Sequence, residues 1–265
     1  MIETDVAAHR QVRLLAALLD HATPPWRPGE LPPLGHWLLF PPDARQSMIG
    51  ADGHPARSVE DGLPRRMWAG SRLAFLAPVP LGATITRETR ILSDVEKTGK
   101  SGPMRFVTLR HRLAADGVPV IEEDQDIVYR AAASPDAPAR PPAPADPLVP
   151  PPLSRSVRAD PAALFRFSAL TFNAHRIHYD RDYAMQVEGY PALVVHGPYI
   201  ATLLLDHYLR HRPAAAIGGF AFRAQRPIFD TEPFTLGLTP DERGADLVAI
   251  DAAGGVAMQA RVDLA

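Results

Sequence analysis

Ten residues of this 265-residue chain, "TFNAHRIHYD" from Thr171 to Asp180, hold two histidines, an asparagine and an aspartate among apolar neighbours. A histidine, with an ordinary pKa of about 6.5, can take and give protons near neutral pH. An asparagine does not titrate, but its amide can orient a water. Some way downstream, "VVHGPY" has the form of a helix start. Gly197 permits close backbone approach, and Pro198 suits a first turn, where its missing N–H is harmless. The free N–H groups and positive dipole end of that helix would attract developing negative charge. His178, Asn173 and Gly197 thus supply a proton carrier, a water-orienting amide and an N–H donor for a carbonyl.

Plainer roles compete for each residue. A lone His178 could be a hydrogen-bonded structural histidine. His175 reads as a supporting or surface histidine, and His196 as a packing or hydrogen-bonding group ahead of the helix. Asp180 suits a cap for the next segment. Metal is the other chemistry to weigh. His175-x-x-His178 with Asp180 is one candidate, and His207-x-x-x-His211 has ligand spacing on a helix face. The second lacks the glutamate of a metalloprotease helix and sits at a helix C-terminus, where the dipole already favours histidine. The expectation is that no metal and no other cofactor takes part. No GxSxG elbow, GxGxxG or Walker loop occurs.

The elements that must position these residues fall into two halves. Proline is abundant, at 29 residues, and concentrates with alanine in "AAASPDAPARPPAPADPLVPPPLS". Such a stretch is extended and pairs poorly, so residues 134–153 read as a linker between a first domain, 1–133, and a second, 154–265. In the first half, "DVAAHRQVRLLAALLDH" has helical spacing, with Glu3 and Asp5 near its start. In the second, "HGPYIATLLLDHYLRH" does. Each is followed by alternating, β-branched-rich segments that read as antiparallel strands. Helix then strands, twice over, implies α+β with an internal duplication. A local echo agrees: "LAFLAPVPLGATIT" and "FAFRAQRPIFDTEPFT" can be laid so that Pro78 meets Pro227. Two long helices, each against a curled antiparallel sheet, is a double hotdog.

Composition excludes much else. The net charge of −2 offers no general attraction to nucleic acid or an anionic membrane, and basic residues are not clustered with aromatics. With no cysteine, disulfides, thiolate ligands and a cysteine nucleophile are excluded. No signal peptide or run of about 18 apolar residues appears, so the expected location is the cytoplasm.

"FRFSALTFNAHRIHYDRDYA" followed by "EGYPALVVHGPY" resembles the hydratase motif of the MaoC-like dehydratases, hotdog enzymes that act on enoyl thioesters. His178 falls on the family's catalytic histidine. Asn173 stands where most members have the catalytic aspartate, and His175 where they have asparagine. Phe172 replaces a glycine and Arg176 a proline. These departures, with "LPPLGHWLLF", "PRRMWAGSRLAF", "SGPMRFVTLRH" and "EEDQDIVYR", resemble the type 2 hydroxyacyl-thioester dehydratase branch, nearest its mesaconyl-C4-CoA and itaconyl-CoA hydratases. The resemblance implies cofactor-free, reversible hydration of an acyl-CoA thioester. Mesaconyl-C4-CoA, giving citramalyl-CoA, is the preferred substrate. Itaconyl-CoA hydration and (3R)-hydroxyacyl-thioester dehydration are the close alternatives. The second half would carry the chemistry, while the first shapes the acyl tunnel in an internal pseudo-dimer that a homodimer could extend. A substrate with a free carboxylate would need a cation, for which Arg176, Arg66, Arg223 and Arg226 are candidates, with Tyr199 also lining the pocket. Two rival classes remain. A hotdog thioesterase would need a carboxylate to activate water, and Asn173 removes the obvious one. A non-catalytic acyl-thioester-binding subunit would have little use for His178 and Gly197.

Overall fold

The computed structural model describes residues 2–55, 62–63, 65–99, 102–131 and 147–265. The first half runs β1 (Ile2–Val6), α1 (His9–Leu18), β2 (Arg65–Phe75), β3 (Thr84–Gly99), β4 (Gly102–Ala115) and β5 (Val118–Arg130). The second runs β6 (Leu153–Val157), α2 (Pro161–Thr171), α3 (Gly197–His211), β7 (Ile217–Ala224), β8 (Phe234–Asp241), β9 (Gly244–Ile250) and β10 (Val256–Leu264). The strands form one ten-stranded sheet in the order β1-β3-β4-β5-β2-β7-β10-β9-β8-β6, every pairing antiparallel. Each half repeats the same connectivity. Its first strand lies at the sheet edge, its second at the centre, and the last three form a meander between them.

The halves join where β2 pairs with β7, so each covers the edge that the other would expose. Laying Pro78 on Pro227 sets Arg72 on Ala221, and those two residues are directly opposed in the sheet. The faint sequence echo therefore marks a pseudo-two-fold axis, with the self-complementary contact such an axis requires.

Six of the long segments expected as strands are β3, β4, β5, β8, β9 and β10, and β2 and β7 overlap the other two. The chain's start differs from expectation. Residues 2–6 are a strand, and α1 begins only at His9. Glu3 does not serve the helix N-terminus but pairs with Arg87 of β3. Asp5 accepts the Phe40 N–H at 2.7 Å. The two helices also differ. α1 has 10 residues and buries one stripe, Val12, Leu15, Ala16 and Leu18. α3 has 15 and is buried from Tyr199 through Leu209. A helix buried on all sides belongs inside a core. Its Leu204 and Leu205 lie with Phe167, Phe220, Leu236 and Met258 in the largest apolar cluster.

The linker expected at 134–153 lies largely outside the described residues. Its last part, from Pro147, runs along the second half. The Leu148 N–H bonds to the Gly254 carbonyl at 3.0 Å, and Pro151 lies where a side chain at Gly237 would be. No helix among the described residues is long and apolar enough to cross a membrane.

Candidate active site

The motif loop between α2 and α3 is shaped by local rules. Asp160 caps α2 by accepting the Ala163 N–H, and Pro161 fits its first turn. The helix ends at Phe172, in the left-handed region at φ 52°. Glycine is usual at such a helix end, so the aromatic side chain sits on backbone that costs it energy. Asn173 then accepts the His175 N–H through Oδ1 at 3.0 Å. This turn sets up the short 3₁₀ segment Arg176–His178. Asp180 caps the next helical turn by accepting the Tyr183 N–H at 3.0 Å.

His178 is buried, and its Nδ1–H donates to the Val194 carbonyl at 2.7 Å. That bond fixes the neutral tautomer and leaves the Nε2 lone pair free. Burial pulls the His178 pKa down to about 4, only partly offset by the Val194 hydrogen bond, and the nearby His54 lowers it further. Its ring stacks on His196 at 3.6 Å. His196 immediately precedes Gly197, so His178 lies beside the N-terminus of α3. The Ser168 hydroxyl lies 2.9 Å from His196 Nε2, while His196 Nδ1 is buried without a partner among the described residues. Burial holds His196 well below the ordinary range, and His178 and His175 add to that.

At Gly197, where α3 starts, a side-chain carbon would lie 3.8 Å from the Trp68 carbonyl of β2. β2 bulges between Trp68 and Gly70. The helix N-terminus therefore faces the first half across the seam between the halves.

The cation candidates divide. Arg176 bonds Asp180 through Nε and Nη2, donates from Nη1 to the Ala51 carbonyl, and lies 4.2 Å over the Tyr183 ring. Its guanidinium is committed to holding the loop. Arg226 pairs with Asp251 at 3.4 Å. Arg223 is exposed on β7, opposite Gly70 of β2. Arg66 of β2 is near enough for its charge to lower the His175 pKa. Tyr199 is in the core, stacked on Phe167 at 4.8 Å, and burial raises its phenol to about 12.

One pair escaped the sequence reading. The turn at residues 50–54 brings Asp52 and His54 of the first half against the motif. Ligand-capable atoms of Asp52, His54 and His175 lie within 4.8 Å of one another. The His54 and His175 rings are 4.2 Å apart, and His175 meets His178 edge-on at 5.4 Å. Burial, then His54 and His178, hold His175 down at about 2, so it stays neutral. The only signal in the sequence was "ADGHP", a turn with no spacing relation to the motif. A cavity of about 270 Å³ lined by Trp26, Leu209 and Ile217 lies at the other end of α3, roughly 20 Å from Gly197 by helical rise.

This fold and this site define a hotdog enzyme class, and the comparisons agree. Residues 34–230 match the model of hydroxyacyl-thioester dehydratase type 2, and the chain belongs to that family. It is 44% identical over 267 residues to the mesaconyl-C(4)-CoA hydratase of Chloroflexus aurantiacus, covering 99% of this chain and 94% of that one. HtdX from Mycobacterium tuberculosis superposes with a TM-score of 0.70 at 16% identity, covering 100% of this chain and 99% of that one. Another M. tuberculosis protein, described as having a double hotdog fold, gives 0.57 at 15% identity over 100% and 95%. The fold is the double hotdog, a large antiparallel sheet with few helices.

Proposed function

We propose that the protein is an acyl-CoA hydratase that reversibly adds water to mesaconyl-C4-CoA, giving citramalyl-CoA. The observation that carries this reading is His178, held in one neutral tautomer beside the start of α3 within the family's motif. The identity to the Chloroflexus hydratase over nearly the whole chain supports the substrate.

The thioester carbonyl accepts from the Gly197 N–H and so takes up charge as the enolate forms. The Asn173 amide orients a water, and His178 Nε2 takes its proton while the oxygen bonds to the β-carbon. The π pair moves to the α-carbon, which a proton then joins. Dehydration is the reverse. No step requires a cofactor.

In this reading the two halves, 1–133 and 154–265, are two hotdog units joined by residues 134–153, each built on its helix. The second carries the motif and the first completes the acyl tunnel. Arg66 is the favoured partner for the free carboxylate of a C5 substrate, because its charge reaches the motif. The enzyme would work in the cytoplasm. Itaconyl-CoA is the second substrate to try.

A panel assay tests the function. Conversion of mesaconyl-C4-CoA, itaconyl-CoA and crotonyl-CoA to their hydrated thioesters is followed by chromatography, with free thiol measured alongside. The expected result is preference for a C5 diacid thioester without thiol release. Thiol release without hydration would make the protein a thioesterase, and binding without turnover an acyl-thioester carrier.

A further inference from the structure

At position 173 the motif carries Asn173, an amide that does not titrate, and a carboxylate from the other half, Asp52, stands beside the motif. The turn that brings Asp52 there is built rather than incidental. Gly50 N–H bonds the His54 carbonyl at 2.7 Å, Gly53 N–H bonds the Gly50 carbonyl at 3.0 Å, and Ile49 bridges to Pro55. Three contacts fasten it to the motif. The Arg176 N–H donates to the Asp52 carbonyl at 2.8 Å, and Arg176 Nη1 donates to the Ala51 carbonyl at 2.9 Å. Gly53, at φ 91°, has no side chain where a Cβ would lie 1.8 Å from the Ala174 carbonyl oxygen. The two segments meet as closely as backbone permits.

Within the turn, Asp52 aims His54. Asp52 Oδ1 accepts the His54 backbone N–H at 3.0 Å, and Oδ2 lies 3.1 Å from His54 Nδ1. A carboxylate on Nδ1–H fixes the orientation of the ring and leaves Nε2 to exchange a proton. Burial would raise the Asp52 pKa, but the side-chain and backbone hydrogen bonds from His54 outweigh it, so Asp52 stays ionised. Both side chains are partly open, His54 at 23% and Asp52 at 31%. The titratable groups facing the pair are His175, His178 and Tyr183 of the motif segment, with the charge of Arg66 of β2 acting on His175. Among the described residues the His175 ring makes no hydrogen bond. It is a neutral spacer between His54 and His178.

We propose that Asp52 and His54 are the second acid–base pair of this site, supplied by the first half to a motif whose own residue 173 is an amide that cannot titrate. The proposal rests on the hydratase reading above. In hydration, His178 Nε2 takes a proton from water as the C–O bond forms at the β-carbon. The π pair moves to the α-carbon. His54, as imidazolium, gives its Nε2 proton there and becomes neutral, with Asp52 ionised throughout. The proton on His178 returns to His54 through solvent, so one water is added and both histidines are restored. The first half then takes part in the chemistry, beyond shaping the tunnel.

The test compares wild type, Asp52→Asn, Asp52→Glu, His54→Gln and His178→Ala as full-length proteins on mesaconyl-C4-CoA across pH. Asp52→Asn and His54→Gln should each lower kcat by roughly 10²–10⁴-fold, the range of one acid–base group, with KM little changed. Asp52→Glu should recover part of the loss, which decides the matter if the Asn variant folds poorly. Wild-type kcat in both variants, or a rise in KM alone, would overturn the pair while wild type remains active and His178→Ala inactive. Activity removed by chelator and restored by zinc would assign Asp52, His54 and His175 to a metal ion and overturn it too. If wild type hydrates no substrate of the panel, the functional reading itself fails.

Discussion

His178 and His196 lie face to face, their ring centroids 3.6 Å apart and their planes 21° from parallel. Burial, with the nearby His54, keeps His178 neutral down to about pH 4, the form that can accept a proton from water. The acid limb of the kcat/KM profile, which reports the free enzyme, should lie well below the ordinary histidine value of about 6.5. An acid limb near 6.5 would mean that His178 is more open to water than its burial indicates.

The same depressed pKa values act on stability. The unfolded chain binds protons at these histidines near pH 6.5, while the folded chain refuses them until about pH 4 for His178. Stability from these groups is complete above pH 6.5 and is lost as pH falls from there toward 4. Thermal unfolding midpoints should decline over that window. In His196→Phe, with one such group removed, the decline should be shallower.

Asn173 offers one amide oxygen to the His175 N–H. Replacement by Ala removes that turn and the water-orienting amide together, and kcat should fall strongly while substrate binding changes little. Asn173→Asp keeps the acceptor, so it should retain a substantial fraction of activity. It should also add a carboxylate ionisation to the pH profile, since Asp titrates and Asn does not. Steady-state kinetics across pH read both outcomes.

Gly53→Ala puts a carbon 1.8 Å from the Ala174 carbonyl oxygen on backbone at φ 91°. Backbone strain alone costs about 1–3 kcal/mol at such a site, and the clash forces the turn off the motif. Activity should drop sharply while the sheet persists, so circular dichroism should stay that of wild type.

In the first half, Glu123 is buried and ionised. Burial would raise its pKa, but hydrogen bonds from His36 and Ser71, with the His36 charge, bring it below normal. His36 Nε2 lies 3.0 Å away, the Ser71 hydroxyl donates at 2.7 Å, and the Trp37 indole donates as well. Glu123→Leu leaves these groups without their acceptor and should cost about 3–5 kcal/mol, as breaking a buried pair does. Urea denaturation measures it, and a loss under about 1 kcal/mol would mean the network relaxes into other partners.

Much of this molecule was legible in the sequence, for stated physical reasons. β3 to β5 and β8 to β10 are long and alternate in residue type, and local pattern sufficed. Asn173 and His178 sit within one loop, so their nearness to each other could be read from the sequence alone. β1 was hidden because five residues with two acids read as the approach to a helix. Their strand character comes from pairing with distant β3. The commitment of Arg176 to Asp180 and Ala51 depends on how the loop folds back. Asp52 and His54 were out of reach for the same reason. They meet His175 only because β2 and β7 zip the halves together, and no local periodicity encodes a contact between segments so far apart in the chain.

The most direct test of the account is the rate of mesaconyl-C4-CoA hydration by wild type and by His178→Ala, each checked for cooperative thermal unfolding. The prediction is loss of enoyl-thioester absorbance with wild type, no thiol release, and a kcat at least about 10²-fold lower in the folded variant. A folded His178→Ala protein that hydrates the thioester at the wild-type rate would contradict it.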